Sequence, residues 1–377
     1  MFQKDDEVVT MTSANDAMAE TRFKEFLDRV EENTVRVSAP ISSMRLVAAE
    51  TPLSSTASDE ERDTAQNGTH LFLNADGVPF VGVRDTALAS LYQRCGLMPT
   101  SITKMPVYEQ ALVMNRIASY AGDDKFLACI VGGKLNAALS DGDSANSYRA
   151  IPQPLLYKQM RGVADTLNKS GNIAAFEGTW SYSQTMCRWV IGAKHTLGGK
   201  TYSTEISLYT SDTGDSAVRM DAALCDGHGG GILPMADPIN IDHRKKNGTL
   251  DVIEAAQMLS AAADRGLQDL EDLQDIEIEH PYNCARRLAA KIGLPKKDSV
   301  EAIDVFFNLH PDITTMTAWE LYSEVLGGIV QHYCEAHKKE PHLQMRMRGN
   351  LLKAKRAAWS RYDLAEPFVW EVKRREA

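Results

Sequence analysis

Two long segments in the middle of the chain constrain the fold most, because their polar and apolar side chains alternate as in a β-strand with one buried face. These segments are residues 180–191 and 201–209. Gly198 and Gly199 lie between them and tolerate the positive φ angles of a tight turn. The pattern predicts an antiparallel hairpin at the centre of the protein.

Shorter apolar segments precede this hairpin and predict further antiparallel pairs. Residues 71–73 and 78–83 flank a turn that ends in Gly77, where Asp-Gly favours a hairpin connection. Residues 126–131 and 135–139 flank a second turn, which contains Gly132 and Gly133. The middle of the chain is therefore expected to form an antiparallel sheet of hairpins.

Helical spacing of apolar residues predicts helices before, between and after these strands. Asp85 is expected to cap one helix, and the spacing of Thr317 and Glu320 is that of a capping box. The predicted helices span residues 14–33, 85–95, 155–167, 252–273, 284–292, 300–309 and 319–337. The fold class expected from these patterns is α+β, with a central antiparallel sheet, packed helices and a C-terminal helical layer.

Composition along the chain predicts its organisation. Residues 1–50 form an N-terminal helix and arm, and the polar residues 51–69 read as a linker. Residues 70–248 form the antiparallel sheet domain. Residues 249–377 form a helical region that ends in a basic helix.

The overall charge and the cysteines limit the class of protein. A net charge of −10 argues against a surface that is basic throughout, but it allows a local basic face. No run of about 20 apolar residues predicts a membrane helix, and the first residues lack the pattern of a secretory signal. The six cysteines never form a Cys-x-x-Cys pair, which favours reduced, buried thiols in a cytosolic protein over disulfides or zinc ligands.

Two glycine-rich segments invite catalytic interpretations that the surrounding sequence does not support. Residues 198–201 read Gly-Gly-Lys-Thr, but a phosphate-binding loop needs a glycine where Lys194 stands, and a strand pattern follows where a helix is required. The His-Gly-Gly-Gly run at residues 228–231 resembles an esterase oxyanion loop, yet the chain has no Gly-x-Ser-x-Gly nucleophile. The missing catalytic motifs favour a protein without enzymatic activity, and a metal-dependent enzyme stays open as an alternative.

A divalent metal ion is the one cofactor that the sequence suggests, and otherwise none is expected. Asp226, His228, Asp242 and His243 flank the same glycine-rich loop, and carboxylates with imidazoles suit divalent cations. Exposed loop residues of these types would give the same pattern without any metal. Both interpretations stay open at this level.

The C-terminal part of the chain carries the clearest signal for a ligand. Residues 341–362 contain no acidic residue, and an aromatic side chain among cations can stack on a base while phosphates are neutralised. The residues concerned are Arg346, Arg348, Lys353, Lys355, Arg356, Trp359 and Arg361. A second basic cluster follows the glycine-rich loop and comprises His243, Arg244, Lys245 and Lys246. The alternative is that the basic helix pairs with the acidic helix face around residues 264–279.

Several of these segments together resemble a family of phage and plasmid proteins catalogued as domain of unknown function 932. The likeness extends in order over residues 70–335. Its pieces are the Ser-Asp strand end at 140–141 before Tyr148, the turn at 210–214, Cys-Asp-Gly at 225–227, the basic step at 242–244 and the Thr-Ala-Trp helix start at 317–319. The chain departs from the family pattern where asparagine is expected before Ser211 and before Gly227. The resemblance implies a protein of a mobile element that acts in the host cytoplasm, and it supplies no catalytic residue.

Three functional hypotheses follow. The first is a phage or plasmid DNA-metabolism protein that binds single-stranded DNA. Its specific activity would be single-strand annealing in DNA recombination, carried out by a homo-oligomer. The second is a module that binds a host protein, such as a defence protein, because an acidic surface steers toward basic partners. The third is a metal-dependent enzyme centred on residues 226–243.

Overall fold

A computed structural model gives the fold and describes residues 8–50, 69–142, 147–168, 173–211, 213, 217–226, 233–244, 249–337 and 341–370. Nearly all of the predicted 51–69 linker lies outside these residues. Helices and mostly antiparallel sheets together confirm the α+β prediction. Among the described helices, none is long and apolar enough to cross a membrane.

The first sheet contains the predicted central hairpin. Its seven strands run in the order β1-β8-β9-β10-β11-β12, β13 also pairs with β11, and every pair is antiparallel. Gly198 and Gly199 connect β9 to β10 with φ angles of 55° and 73°. The strands are β1 Val9–Thr12, β8 Ile173–Trp180, β9 Thr185–Leu197, β10 Lys200–Thr210, β11 Val218–Cys225, β12 Leu233–Pro234 and β13 Ile239–Ile241.

The second sheet contains the two shorter predicted hairpins. Its order is β2-β6-β7-β5-β4-β3, and only the short contact between β5 and β7 is parallel. The strands are β2 Thr34–Pro40, β3 Arg45–Glu50, β4 Thr69–Ala75, β5 Val78–Val83, β6 Lys125–Val131 and β7 Lys134–Asp141. β2 and β3 come from residues 1–50, where the sequence predicted a helix and an arm. The strands therefore form two main sheets, each with its own core.

Helices cover the sheets, and most of them lie close to predicted positions, whereas no helix was predicted over residues 99–118. They are α1 Ala19–Glu32, α2 Asp85–Arg94, α3 Pro99–Ile102, α4 Val107–Ala118, α5 Gln153–Leu167, α6 Thr249–Asp272, α7 Pro281–Ile292, α8 Lys296–Leu309, α9 Ala318–Glu320, α10 Gly327–Ala336 and α11 Pro341–Lys355. A π-helical segment, Leu321–Leu326, joins α9 to α10, and a two-stranded ribbon pairs β14 Glu277–Ile278 with β15 Met316–Thr317. The capping box of Thr317 and Glu320 is confirmed. Asp85 is the first helical residue instead of the cap, which is Arg84.

Two hydrophobic cores result. The larger core lies against the first sheet, includes apolar residues of α1, α5 and α6, and buries Trp180, Trp189 and Trp319 almost completely. The smaller core lies between the second sheet and helices α2 and α4, where Leu73 and Phe126 have no exposed surface.

Helix α6 approaches the segment after β12 so closely that only glycine fits at one position. A Cβ atom built on Gly266 would overlap the carbonyl oxygen of Met235, a backbone atom that cannot swing away. The helix and the segment are thus in direct backbone contact. This contact places the end of the first sheet beside the C-terminal helices.

We expect the substitution Gly266→Ala to lower the free energy of unfolding by about 3 kcal/mol, because the added methyl must push two backbones apart. Gly162→Ala on α5 is the control, since its Cβ would meet nothing within 4 Å. The control should be neutral or stabilise by up to about 1 kcal/mol through helix propensity. Urea denaturation of both variants measures the difference, and equal midpoints would contradict it.

All six cysteines are free and buried, as the sequence predicted. Burial raises the pKa of the Cys95 thiol to about 11 and that of Cys284 to about 12. At pH 8 the reactive thiolate is therefore rarer in the folded state than in the unfolded chain.

We expect a thiol reagent to label the native protein slowly and the urea-unfolded protein rapidly. Rapid labelling of Cys284 in the native protein would contradict this expectation.

Candidate nucleic-acid interface

Lys355, at the end of α11, is a structural residue. It is 6% exposed, and its Nζ donates to the carbonyl oxygen of Met235 at 2.6 Å and lies 3.0 Å from Asp269 Oδ2. Burial lowers the pKa of Lys355, and the carboxylate of Asp269 opposes that shift. The prediction that Lys355 contacts phosphate is wrong for this conformation. The alternative, pairing of the basic helix with the acidic face of α6, is confirmed at this residue.

Two further residues of the predicted basic surface are buried or mostly buried, and a third is exposed but forms an ion pair within the protein. Trp359 is 3% exposed, so its ring cannot stack on a base, contrary to the prediction. Arg348 is mostly buried, with its Nη1 3.8 Å from Oε1 of the buried Glu205. Arg356 is exposed but forms an ion pair of 2.7 Å with Asp237. Much of the basic run therefore holds α11 against the first sheet and the segment that follows β12.

The remaining cations, Arg346, Lys353 and Arg361, are exposed. Arg346, Asn350 and Lys353 have the i, i+4, i+7 spacing that places them on one face of α11. The Nζ of Lys353 donates to Asn350 Oδ1 at 2.8 Å. Arg346 and Lys353 therefore give this side of α11 an exposed positive charge, while the side chain of Asn350 on the same side is buried.

The turn between α7 and α8 meets this face and adds cations to it. Asn350 Nδ2 donates to the carbonyl oxygen of Gly293 at 3.0 Å, and Gly293 ends α7 with a φ of 79°. Lys291 lies in the last turn of α7, and Lys296 and Lys297 open α8. We call the resulting group the cationic corner, and it comprises Lys291, Lys296, Lys297, Arg346 and Lys353. Asp298 is the acidic residue in the first turn of α8.

The position of two lysines in the cationic corner is unfavourable without an anion. Lys296 and Lys297 lie at the N-terminus of α8, where the helix dipole disfavours positive charge by about 0.3–1 kcal/mol per residue. A phosphate at this helix end would interact favourably with both the lysines and the dipole. The corner is therefore suited to an anionic ligand.

The C-terminal segment runs along α7 and brings aromatic rings to the corner. The carboxylate of Asp363 accepts hydrogen bonds from the amides of Glu279 and His280 at 2.9 and 2.7 Å. Further along α7, Arg287 Nη2 donates to the carbonyl oxygen of Glu366 at 2.7 Å, and Asn283 Nδ2 to that of Ala365 at 3.0 Å. The segment is thus held from the start of α7 toward its end.

Phe368 and Trp370 then lie against cations of α7 and α8. The guanidinium of Arg287 lies 5.4 Å from the ring centre of Phe368, and Nζ of Lys296 lies 5.9 Å from that of Trp370. Both rings are partly exposed. The sequence interpretation missed them because they lie beyond the uninterrupted basic run, although the Phe-x-Trp spacing close to the end of the chain was a visible signal.

The second predicted basic cluster divides between buried and exposed residues. His243 is 8% exposed, stacks on Tyr148 with ring centres 5.2 Å apart, and its Nδ1 donates to the carbonyl oxygen of Arg149 at 3.3 Å. Arg244 is exposed and 3.8 Å from Asp242. Lys245 and Lys246 lie outside the described residues. His243 is therefore a packed side chain, which corrects its assignment to a nucleic-acid surface.

The proposed metal ligands are not all brought together. Asp226 follows Cys225 at one end of β11, whereas Asp242 follows Ile241, which pairs with Val218 at the other end. These ends are about 23 Å apart at the usual rise per strand residue. His228 lies outside the described residues. Within the described part of the chain, no three His, Cys, Asp or Glu side chains are grouped to hold a metal ion.

No protein-family model, curated protein or solved structure matches this chain. The resemblance to domain of unknown function 932 therefore stays an expectation from the sequence.

Because Lys355 is buried and Arg346 is exposed, replacing each of them should change the free energy of unfolding by different amounts. We expect Lys355→Met to lower the free energy of unfolding by about 3 kcal/mol, because the carbonyl oxygens of Met235 and Gly266 lose their donor. Arg346→Ala, a matched exposed cation on the same helix, should change it by less than about 0.5 kcal/mol. Urea denaturation gives both values, and a stable Lys355→Met variant would contradict the structural role.

Proposed function

We propose that this protein binds single-stranded nucleic acid at the cationic corner. The observation that carries the proposal is the meeting of cations from α7, α8 and α11 with two partly exposed rings, Phe368 and Trp370. Phosphates attract the cations, and unpaired bases can stack on the rings. Duplex bases are already stacked on one another, so the rings favour a single strand.

The charge of the rest of the protein is consistent with one localised site. With a net charge of −10, most of the surface repels nucleic acid, and binding must concentrate where cations outnumber carboxylates. The corner brings five cations together, with Asp298 as the acidic residue in the first turn of α8 and Glu366 on the neighbouring C-terminal segment. A localised site of this kind predicts binding that weakens steeply with salt.

The sequence resemblance extends the proposal to a cellular role. We further propose that the protein is encoded by a phage or plasmid and acts in the host cytoplasm. There it promotes single-strand annealing as a homo-oligomer. Annealing requires strands held with their bases accessible and needs no nucleophile or general base. The absence of a recognisable catalytic motif in the sequence is compatible with this role.

A salt-titrated binding assay tests the proposal. We expect a fluorescent oligo(dT) to bind at low ionic strength, and the double variant Arg346→Ala with Lys353→Ala to bind at least tenfold more weakly. The slope of log affinity against log salt should become shallower by about 0.7 for each phosphate that the variant no longer neutralises. The control is Lys24→Ala, which removes an exposed lysine of α1 that pairs with Asp28. This variant should bind oligo(dT) as tightly as the unchanged protein. Absence of binding by the unchanged protein at low salt would remove the proposal.

The aromatic rings give an independent prediction. We expect Trp370→Ala to weaken oligo(dT) binding by about 5- to 100-fold while leaving the salt slope unchanged, because stacking contributes about 1–3 kcal/mol per base without releasing counterions. The matched control is Tyr120→Ala, which removes an exposed aromatic ring from the end of α4. Equal affinities for the two variants would exclude stacking on Trp370.

One observation favours the second hypothesis, binding of a host protein. Tyr108, Leu112 and Tyr120 are exposed at four- and eight-residue spacing along and just beyond α4, which is an apolar stripe suited to a protein partner. Co-purification from host lysate with and without nuclease separates the hypotheses, since a directly bound protein survives nuclease treatment. Replacing Leu112 with Glu should then release that protein.

A further inference from the structure

An exposed aromatic pair lies on the second sheet, away from the cationic corner. Phe72 of β4 and Phe80 of β5 stack with ring centres 5.3 Å apart and planes within 8° of parallel. Phe80 is 60% exposed, and the neighbouring Val47 of β3 is also exposed. The opposite side of the same strands, including Leu73 and Val81, faces the smaller core. The pair therefore forms an apolar platform on the open side of the sheet.

Strand register places cations on the same side as the platform. Arg45 pairs with Asn74 on β4, and Lys134 pairs with Gly82 on β5, so each lies beside the aromatic pair. Both side chains are exposed, and Nη1 of Arg45 also donates to the carbonyl oxygens of Ser42 and Met44 at 3.0 and 2.7 Å. Among the described side chains on this side of β3, β4 and β5, none is acidic, whereas Asp76 lies exposed in the turn between β4 and β5. The platform is thus flanked by positive charge on both sides, in a protein that is acidic overall.

Gly82 keeps the surface beside the platform flat. Its φ is outside the left-handed region, so its backbone conformation does not require glycine. A Cβ atom on Gly82 would touch Cε1 of Phe72 at 3.7 Å, and a larger side chain would rise beside that ring. The missing side chain leaves an open strip between Phe72 and Lys134.

We propose that this face is a second site for single-stranded nucleic acid, in which bases stack on Phe80 and Phe72 while Arg45 and Lys134 contact phosphates. Exposed aromatic rings on an open sheet, flanked by cations, are the arrangement that stacks unpaired bases. The site rests on the proposed function for its ligand class only, because it shares no residue with the cationic corner. One site on each core lets a single molecule hold two strand segments.

Photo-crosslinking separates the two sites. Oligo(dT) and oligo(U) carrying 5-iodouracil are irradiated with the full-length protein, and the crosslinked peptides are identified by mass spectrometry. We expect crosslinks at Phe72 or Phe80, and we expect them to persist in the Arg346→Ala, Lys353→Ala double variant. The relative yields of the two oligonucleotides decide between DNA and RNA.

Affinity measurements in that double variant isolate the second site. We expect Phe80→Leu, which keeps an apolar side chain but removes the ring, to weaken binding about tenfold. Phe80→Tyr should restore affinity, and Gly82→Val should block the strip beside Phe72. The control is Tyr108→Leu, which replaces an exposed aromatic residue on α4, a helix that packs on the smaller core. It should leave the affinity unchanged.

Each outcome bears on one proposal or on both. Crosslinks at Trp370 without any at Phe72 or Phe80, together with unchanged affinity in Phe80→Leu, would overturn the second site and leave the cationic corner in place. Crosslinks only at Phe72 or Phe80 would support the second site and overturn the corner. No crosslink and no binding would remove both. A protein captured by the platform, with no effect of Phe80→Leu on oligonucleotide binding, would identify the face as a protein-docking surface and overturn the inference.

Discussion

The buried ammonium group of Lys355 is the interaction on which the arrangement of the C-terminal helices depends. It joins α11 to the carbonyl oxygens of Met235 and Gly266 and to the carboxylate of Asp269. Removing a charged group from water costs several kcal/mol unless its hydrogen bonds are replaced, and these partners replace them. The absence of a side chain at Gly266 allows the close approach of α6 that brings the partners together.

This anchor divides the basic residues of α11 between two roles. The side that carries Lys355 is used in folding, and the side that carries Arg346 and Lys353 stays in solvent. Asn350 then holds the solvent side against Gly293, so that the lysines of the α7–α8 turn join it. One continuous basic run thus supplies both a structural cation and part of a candidate binding surface. The C-terminal segment adds the aromatic rings that the run itself lacks on its exposed side.

The two cores carry different candidate surfaces, and their combination bears on the proposed role. The cationic corner is rich in charge, whereas the platform of Phe72 and Phe80 is mainly apolar with a cation on each side. Annealing brings two strands together, so a protein with a strand site on each core is better suited to it than a protein with one site. Charge concentrated on these surfaces also reconciles strand binding with a net charge of −10.

The sequence by itself determined the hairpins, most helices and the Thr317 capping box, because these features depend on neighbours a few residues apart. The burial of the cysteines followed from the apolar character of the thiol side chain. It did not reveal β2 and β3, whose partners β6 and β4 are distant in the chain. Nor did it distinguish Lys355 from Lys353, because burial is decided by the approach of α6 and the Met235 segment. The tertiary structure alone decided which cations and aromatic rings meet in solvent, since those contacts join segments that only packing brings together.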